Sequence, residues 1–171
     1  MKLKLKSSIT MYRPALLLLL LLPSIVWANE VISGKVISVI DGNTFEIMTA
    51  EKESYKIMFF GIDSPELGQE FGEKAKDYLE KMILEKTISV EIQGKDRWGT
   101  RLGTFEINGE DPRIKLLEEG LAWTAERNPI EVLDGLKEKA KQEGKGLWKE
   151  SEPVAPWTFR RQLTMQQLKT S

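Results

Sequence analysis

The stretch from Val31 to Gly61 constrains the fold more than any other. Two apolar runs rich in β-branched residues, Val31–Ile40 and Phe45–Met48, flank the tetrapeptide Asp41-Gly42-Asn43-Thr44, and a third run, Ser54–Gly61, follows. Asp-Gly between apolar runs is a strong hairpin signal, because these residues accept the tight turn backbone that branched side chains resist. The body of this chain therefore starts as β-structure, with three strands before any helix.

The rest of the pattern adds helices and two more strands. After Ser64-Pro65-Glu66, the residues Phe71, Ala75, Tyr78, Leu79, Met82 and Ile83 recur on one face of an α-helix. Residues 87–92, TISVEI, alternate, with Ile88, Val90 and Ile92 on one side, as a half-buried strand does. Arg101–Ile107 reads as a fifth strand. Asp111-Pro112 supplies an N-cap and a first-turn proline for a second helix, which Gly120 ends. Asn128-Pro129 opens a third, running to about Gly144 with Leu133, Leu136 and Ala140 inward. No repeat or second domain is evident. The expected fold class is α+β, mainly β: a five-stranded barrel of the OB type with three packed helices over residues 29–150, an α+β sandwich being the competing architecture. Residues 151–171 hold Pro153 and Pro156 and read as an extended C-terminal tail.

Residues 1–28 stand apart. Lys2, Lys4, Lys6 and Arg13 precede the apolar run Ala15–Leu22, and Val26-Trp27-Ala28 has the form of a cleavage site. The run is shorter than the roughly 20 residues that a membrane-spanning helix needs. A signal peptide cleaved after Ala28 is expected, giving a secreted or periplasmic protein without a stable membrane anchor. Removing it takes away four cations and no acid, leaving 21 basic against 26 acidic side chains, a net charge of −5. That balance disfavours a nucleic-acid partner without excluding a local basic groove. The absence of cysteine and histidine removes disulfides and the usual transition-metal ligand, so a metal would be held by oxygen, as calcium or magnesium is. Nothing in the sequence fixes an oligomeric state.

Four stretches occur in a telling order: VIDGNTF (39–45), GIDSPE (61–66), DRWGTRLG (96–103) and EEGLAW (118–123), followed by KGLW (145–148). Together they resemble the staphylococcal-nuclease-like, or thermonuclease, family. The resemblance spans residues 31 to about 150. It implies an OB-fold barrel with three helices and a calcium-dependent phosphodiesterase that cleaves DNA and RNA. It also implies carboxylates that hold the metal, a glutamate that positions the attacking water, and two arginines that clamp the phosphate. A cation clamp answers the negative charge that grows on the phosphate oxygens, and arginine suits it best.

Carried over by position, the resemblance matches Asp63 to a metal ligand, Glu66 to the catalytic glutamate and Asp41 to the outer aspartate of the first loop. Three charged positions differ. Asn43 stands where the family has a ligating aspartate, Met58 where it has the first arginine, and Thr100 where it has the second. Lys56, Arg97 and Arg101 are candidate substitutes, although Arg101 is one residue along a strand and so faces the other side unless the backbone bulges. What remains would be a weak calcium site made of Asp63, Asp41, Asn43 and Ser64. Trp98 and Arg97 are the candidate substrate-binding pair, and Glu126 stands near a position where family members often have a nucleotide-contacting tyrosine. The expected function is a degraded relative, non-catalytic or very slow, acting as a nucleic-acid- or nucleotide-binding or structural module. An active calcium-dependent endonuclease with a rearranged clamp and a protein-interaction module are the alternatives. Arg160-Arg161 are too few charges to mark a lipid or nucleic-acid surface.

Overall fold

The computed structural model describes residues 30–170, so the expected signal peptide over 1–28 lies outside the described residues. The body is a closed barrel of β1 (Val31–Val39), β2 (Thr44–Met48), β3 (Ser54–Phe59), β5 (Thr87–Lys95) and β6 (Arg101–Thr104), in the order β1-β2-β3-β6-β5. Only β3 and β6 pair in parallel; the other neighbours are antiparallel. The register of β1 against β2 shifts between Val36 and Ser38, and that of β5 against β6 between Ile92 and Gly94. Such bulges add local twist, which a five-strand sheet needs to close on itself.

Inward residues fill the barrel. Phe45, Phe59 and Phe105 sit with ring centroids 5.4 Å apart, beside the buried Val36, Ile47, Ile57 and Val90. Helix α1 (Gly72–Ile83) lays Ala75, Leu79 and Ile83 onto the same core, as its periodicity predicts. Helix α2 (Pro112–Glu118) starts at Asp111, whose carboxylate accepts from the Arg113 amide at 2.9 Å. Arg113 Nη1 also donates to the Phe60 carbonyl at 2.8 Å, which ties this helix start to the turn after β3. Helix α3 (Glu131–Gln142) buries Leu133 and Ala140.

Three elements escape the sequence pattern. Strand β4 (Ile62–Asp63) pairs with β7 (Trp123–Thr124) in a separate two-stranded sheet, with Asp63 opposite Trp123. The expected extended tail is corrected: after the 3₁₀ turn Gly146–Lys149, residues Pro156–Thr170 form a fourth helix, α4. Pro156 sits at its first position, where a proline lacks nothing because the first helical amides have no partner inside the helix. The barrel thus carries, among the described residues, the expected three helices and α4 besides. Among the described residues no helix is long and apolar enough to cross a membrane.

Candidate active site

The site forms where the β1–β2 loop meets the β4 segment. Asp41 Oδ1 accepts from the Asn43 amide at 2.9 Å, which closes the turn on itself. The Asn43 carbonyl takes the Phe59 amide at 2.8 Å, and its buried side-chain Oδ1 takes the Ser64 amide at 3.0 Å. Asn43 is therefore a pin that joins the two loops. Gly42 permits their approach: a Cβ there would lie 2.6 Å from the Ala75 Cβ and 2.7 Å from the Ser64 Cβ. Gly61, at φ +88, turns the chain from β3 into β4 in a region that L side chains resist.

Beyond that turn stand Asp63 and Glu66. The Glu66 amide donates to Gln69 Oε1 at 2.9 Å, and the Gln69 amide returns a bond to the Glu66 carbonyl at 2.8 Å, so the backbone of Glu66 is fixed. Both carboxylates are closed by one guanidinium. Arg160 Nη1 donates to Asp63 Oδ1 at 3.1 Å and to Glu66 Oε1 at 2.6 Å, and Nη2 donates to Asp63 Oδ2 at 2.7 Å. Beside them, Arg161 Nη2 bonds Glu126 Oε1. Helix α4 reaches this position on apolar contacts. Trp157 packs edge-on to Trp123 at 5.6 Å, and Trp123 packs on Trp148 at 4.5 Å. Gln69 Nε2 bonds the Val154 carbonyl at 2.9 Å, just before the helix.

Burial pushes the Asp63 carboxyl above the usual carboxylate range, and Glu66 and Asp41 push the same way, while Arg160 pulls it down without prevailing. Burial also raises Asp41, against bonds from Asn43 and Thr44 that hold it down. Arg160 is raised, first through its bonds to Asp63. The charges of the two aspartates are thus costly in place, and Arg160 is the cation that offsets one of them.

The sequence-predicted residues divide. Asp41, Asn43, Asp63, Ser64 and Glu66 come together. The proposed substitute cations do not join them. Arg101 donates to Glu30 Oε1 at 3.2 Å and stacks over Tyr55 at 4.7 Å from the ring centroid. The β3–β6 register runs unbroken, Ile57 beside Arg101 and Met58 beside Leu102, so Arg101 and Met58 face opposite sides. Lys56 is exposed, opposite Glu46 on β2. Arg97 stacks at 3.8 Å over Trp98, which is 74% exposed on the turn capped by Asp96. Thr100 donates its amide to Asp96 and carries no charge. Arg160 and Arg161 were missed as site residues. The signal available was Pro156 followed by a run with no glycine or further proline, which marks a helix that could hold its arginines in place.

The donor set does not fit calcium as it stands. Both oxygens of Asp63 accept from Arg160, Asn43 Oδ1 is committed to the Ser64 amide, and the buried Ser64 hydroxyl is a single neutral oxygen without a partner. Among the described residues no three acidic side chains converge closely enough to hold a metal ion.

Comparison with known proteins agrees with the barrel. The pattern of the family described as "Staphylococcal nuclease homologue" matches residues 56–150. The chain is 34% identical over 131 residues to an "Uncharacterized endonuclease" of Escherichia coli O157:H7, covering 75% of this chain and 85% of that one. It is 31% identical over 160 residues to "Protein ParB" of Escherichia coli, covering 86% and 89%. It is 25% identical over 170 residues to a "Micrococcal nuclease" of Shigella flexneri, covering 91% and 95%.

Proposed function

Since the chain belongs to the staphylococcal nuclease homologue family, we propose that it is a degraded member, non-catalytic or very slow, that serves as a nucleotide- or nucleic-acid-binding module rather than as a turnover enzyme. One observation carries this reading: no cation stands at positions 58 and 100, and Arg101, the neighbour of Thr100 along the chain, is turned to Glu30 and Tyr55 on the other face. Removing one donor to the transition-state charge costs about 10²–10³ in rate, and removing an arginine from a transferring phosphoryl about 10³–10⁵. Two such losses do not multiply, because the groups act as a unit, but the residue of activity is small. The retained Glu66 could still hold a water, yet its carboxylate is engaged by Arg160.

Restoration tests the assignment. The triple variant Asn43→Asp, Met58→Arg, Thr100→Arg should cleave single-stranded DNA measurably faster than the parent in millimolar calcium. No gain in a folded triple variant would show that these are not the missing positions. A titration with a nucleoside bisphosphate tests the binding role, which fails if the parent shows no saturable uptake. A second reading has one observation in its favour. Arg160 lies within hydrogen-bond reach of Glu66, so it could be a clamp supplied from a new place in an active endonuclease. In that case Arg160→Ala would abolish cleavage that the parent performs.

A further inference from the structure

Arg160 comes from a helix 97 residues downstream of Asp63, yet it meets the two retained carboxylates with three hydrogen bonds of 2.6–3.1 Å. The fit is that of a planar fork on oxygen acceptors: Nη1 bridges Asp63 and Glu66, and Nη2 completes a bidentate pair with Asp63. The next side chain, Arg161, answers Glu126. Two successive guanidinium groups thus match three carboxylates contributed by the β4 segment and the residues after β7.

The match does not rest on charge alone. Trp157 is seated on Trp123, whose own residue pairs with Asp63 across the β4–β7 sheet. A Cβ at Gly68 would meet the Phe159 ring at 3.7 Å, so that side chain lies over the loop that carries Glu66. The apolar anchors Trp157 and Phe159, in the turn before Arg160, therefore fix the depth and direction at which its guanidinium arrives. Asp63 has 16% of its side chain exposed and Glu66 34%, so a charge between them is shielded well enough to matter. A guanidinium brings one positive charge and no open position for water, whereas calcium brings two and retains exchangeable ligands.

We propose that the Asp63–Glu66 pair is a guanidinium site, filled by Arg160 of the chain's own C-terminal helix, which holds divalent cations out while α4 is docked. The inference is separate from the loss of hydrolysis. Positions 58 and 100 lack cations whether or not α4 leaves, so freeing the carboxylates restores ion binding and not cleavage.

The test uses the full chain and terbium(III), a luminescent ion with calcium's preference for carboxylate oxygen, sensitised by Trp123 beside Asp63. The parent should show no saturable, calcium-displaceable luminescence in the range where Arg160→Ala shows it. The half-saturation of Arg160→Ala should be lower than the parent's by at least about tenfold. Arg160→Lys keeps the charge and should stay close to the parent, and adding Asp63→Asn to Arg160→Ala should abolish the new site. If Arg160→Ala does not fold, Arg160→Gln makes the same comparison. The proposal is overturned if the parent binds terbium as tightly as the alanine or glutamine variant. It is equally overturned if a folded variant lacking the guanidinium gains no saturable site. Chelator-sensitive hydrolysis by the parent would contradict both readings, whereas saturable terbium binding by the parent without hydrolysis would overturn this one and leave the functional reading standing.

Discussion

Removing Arg160 should destabilise the protein in a way that depends on Asp63. In the intact chain the guanidinium makes two hydrogen bonds to Asp63, at 2.7 and 3.1 Å, and one to Glu66 at 2.6 Å. Hydrogen bonds to charged groups contribute about 1.5–3 kcal/mol, and exposed ion pairs only about 0.2–1 kcal/mol. Asp63 is largely covered but Arg160 is 46% exposed, which places the contact between these limits. The single change Arg160→Ala should cost about 1–2 kcal/mol. Part of that is the penalty of leaving Asp63 covered and unpaired, since burial already holds its carboxyl above the usual range with Arg160 in place. Asp63→Asn removes that charge, so the double variant should be destabilised less than the sum of the singles. The coupling should be about 1 kcal/mol. Urea unfolding followed by circular dichroism measures all four corners of the cycle, and proteolysis at the linker over residues 150–155 reports separately whether α4 stays down. Additivity within about 0.3 kcal/mol would refute the contact as the reason α4 docks.

Acidity should act through Asp41 in a defined direction. Its folded pKa is raised by burial, so its charge costs stability at neutral pH; the cost disappears as pH falls below the ordinary carboxylate range and the group is protonated in both states. Asp41→Asn, which can still accept the Asn43 amide, should raise the melting temperature at pH 7 by a few degrees, with the gain shrinking towards pH 4. A gain that is constant from pH 4 to pH 7 would show that charge is not the cause. In the barrel, Phe45→Ala removes a fully buried ring that touches both Phe59 and Phe105, and should cost about 3–5 kcal/mol by denaturant titration. Trp98→Ala, by contrast, removes a side chain that is 74% exposed and should change stability by less than about 0.5 kcal/mol in the same assay.

What the sequence could disclose followed the physics of each segment. The run TISVEI alternates because one face of β5 is buried against the core, and the structure buries Ile88, Val90 and Ile92 as that pattern requires. Helix α1 was legible for the same reason at a different period. Strands β4 and β7 were not: two residues carry no periodicity, and their pairing joins Ile62–Asp63 to Trp123–Thr124 across a long loop closure. Helix α4 was hidden because its apolar residues gather on no single face; Leu163, Met165 and Leu168 are all exposed. Pro153 and Pro156, both at its N-terminal end, resembled breakers, though Pro156 opens the helix. The site divides along the same line. Asp41, Asn43, Asp63 and Glu66 lie in short motifs that a turn brings together, so position in the motif predicts position in space. Arg160 reaches them through long-range packing, of Trp157 on Trp123 and of Phe159 beside Gly68, which no local pattern encodes.

The central claim is that this barrel has kept the nuclease scaffold while losing the charges that drive phosphodiester cleavage. Hydrolysis of single-stranded DNA by the purified protein, in millimolar calcium with a chelator control and beside a working family member, tests it most directly. The account predicts turnover lower by at least about 10³, the effect of removing phosphate-clamping cations. Chelator-sensitive turnover comparable to that of the working member would contradict it.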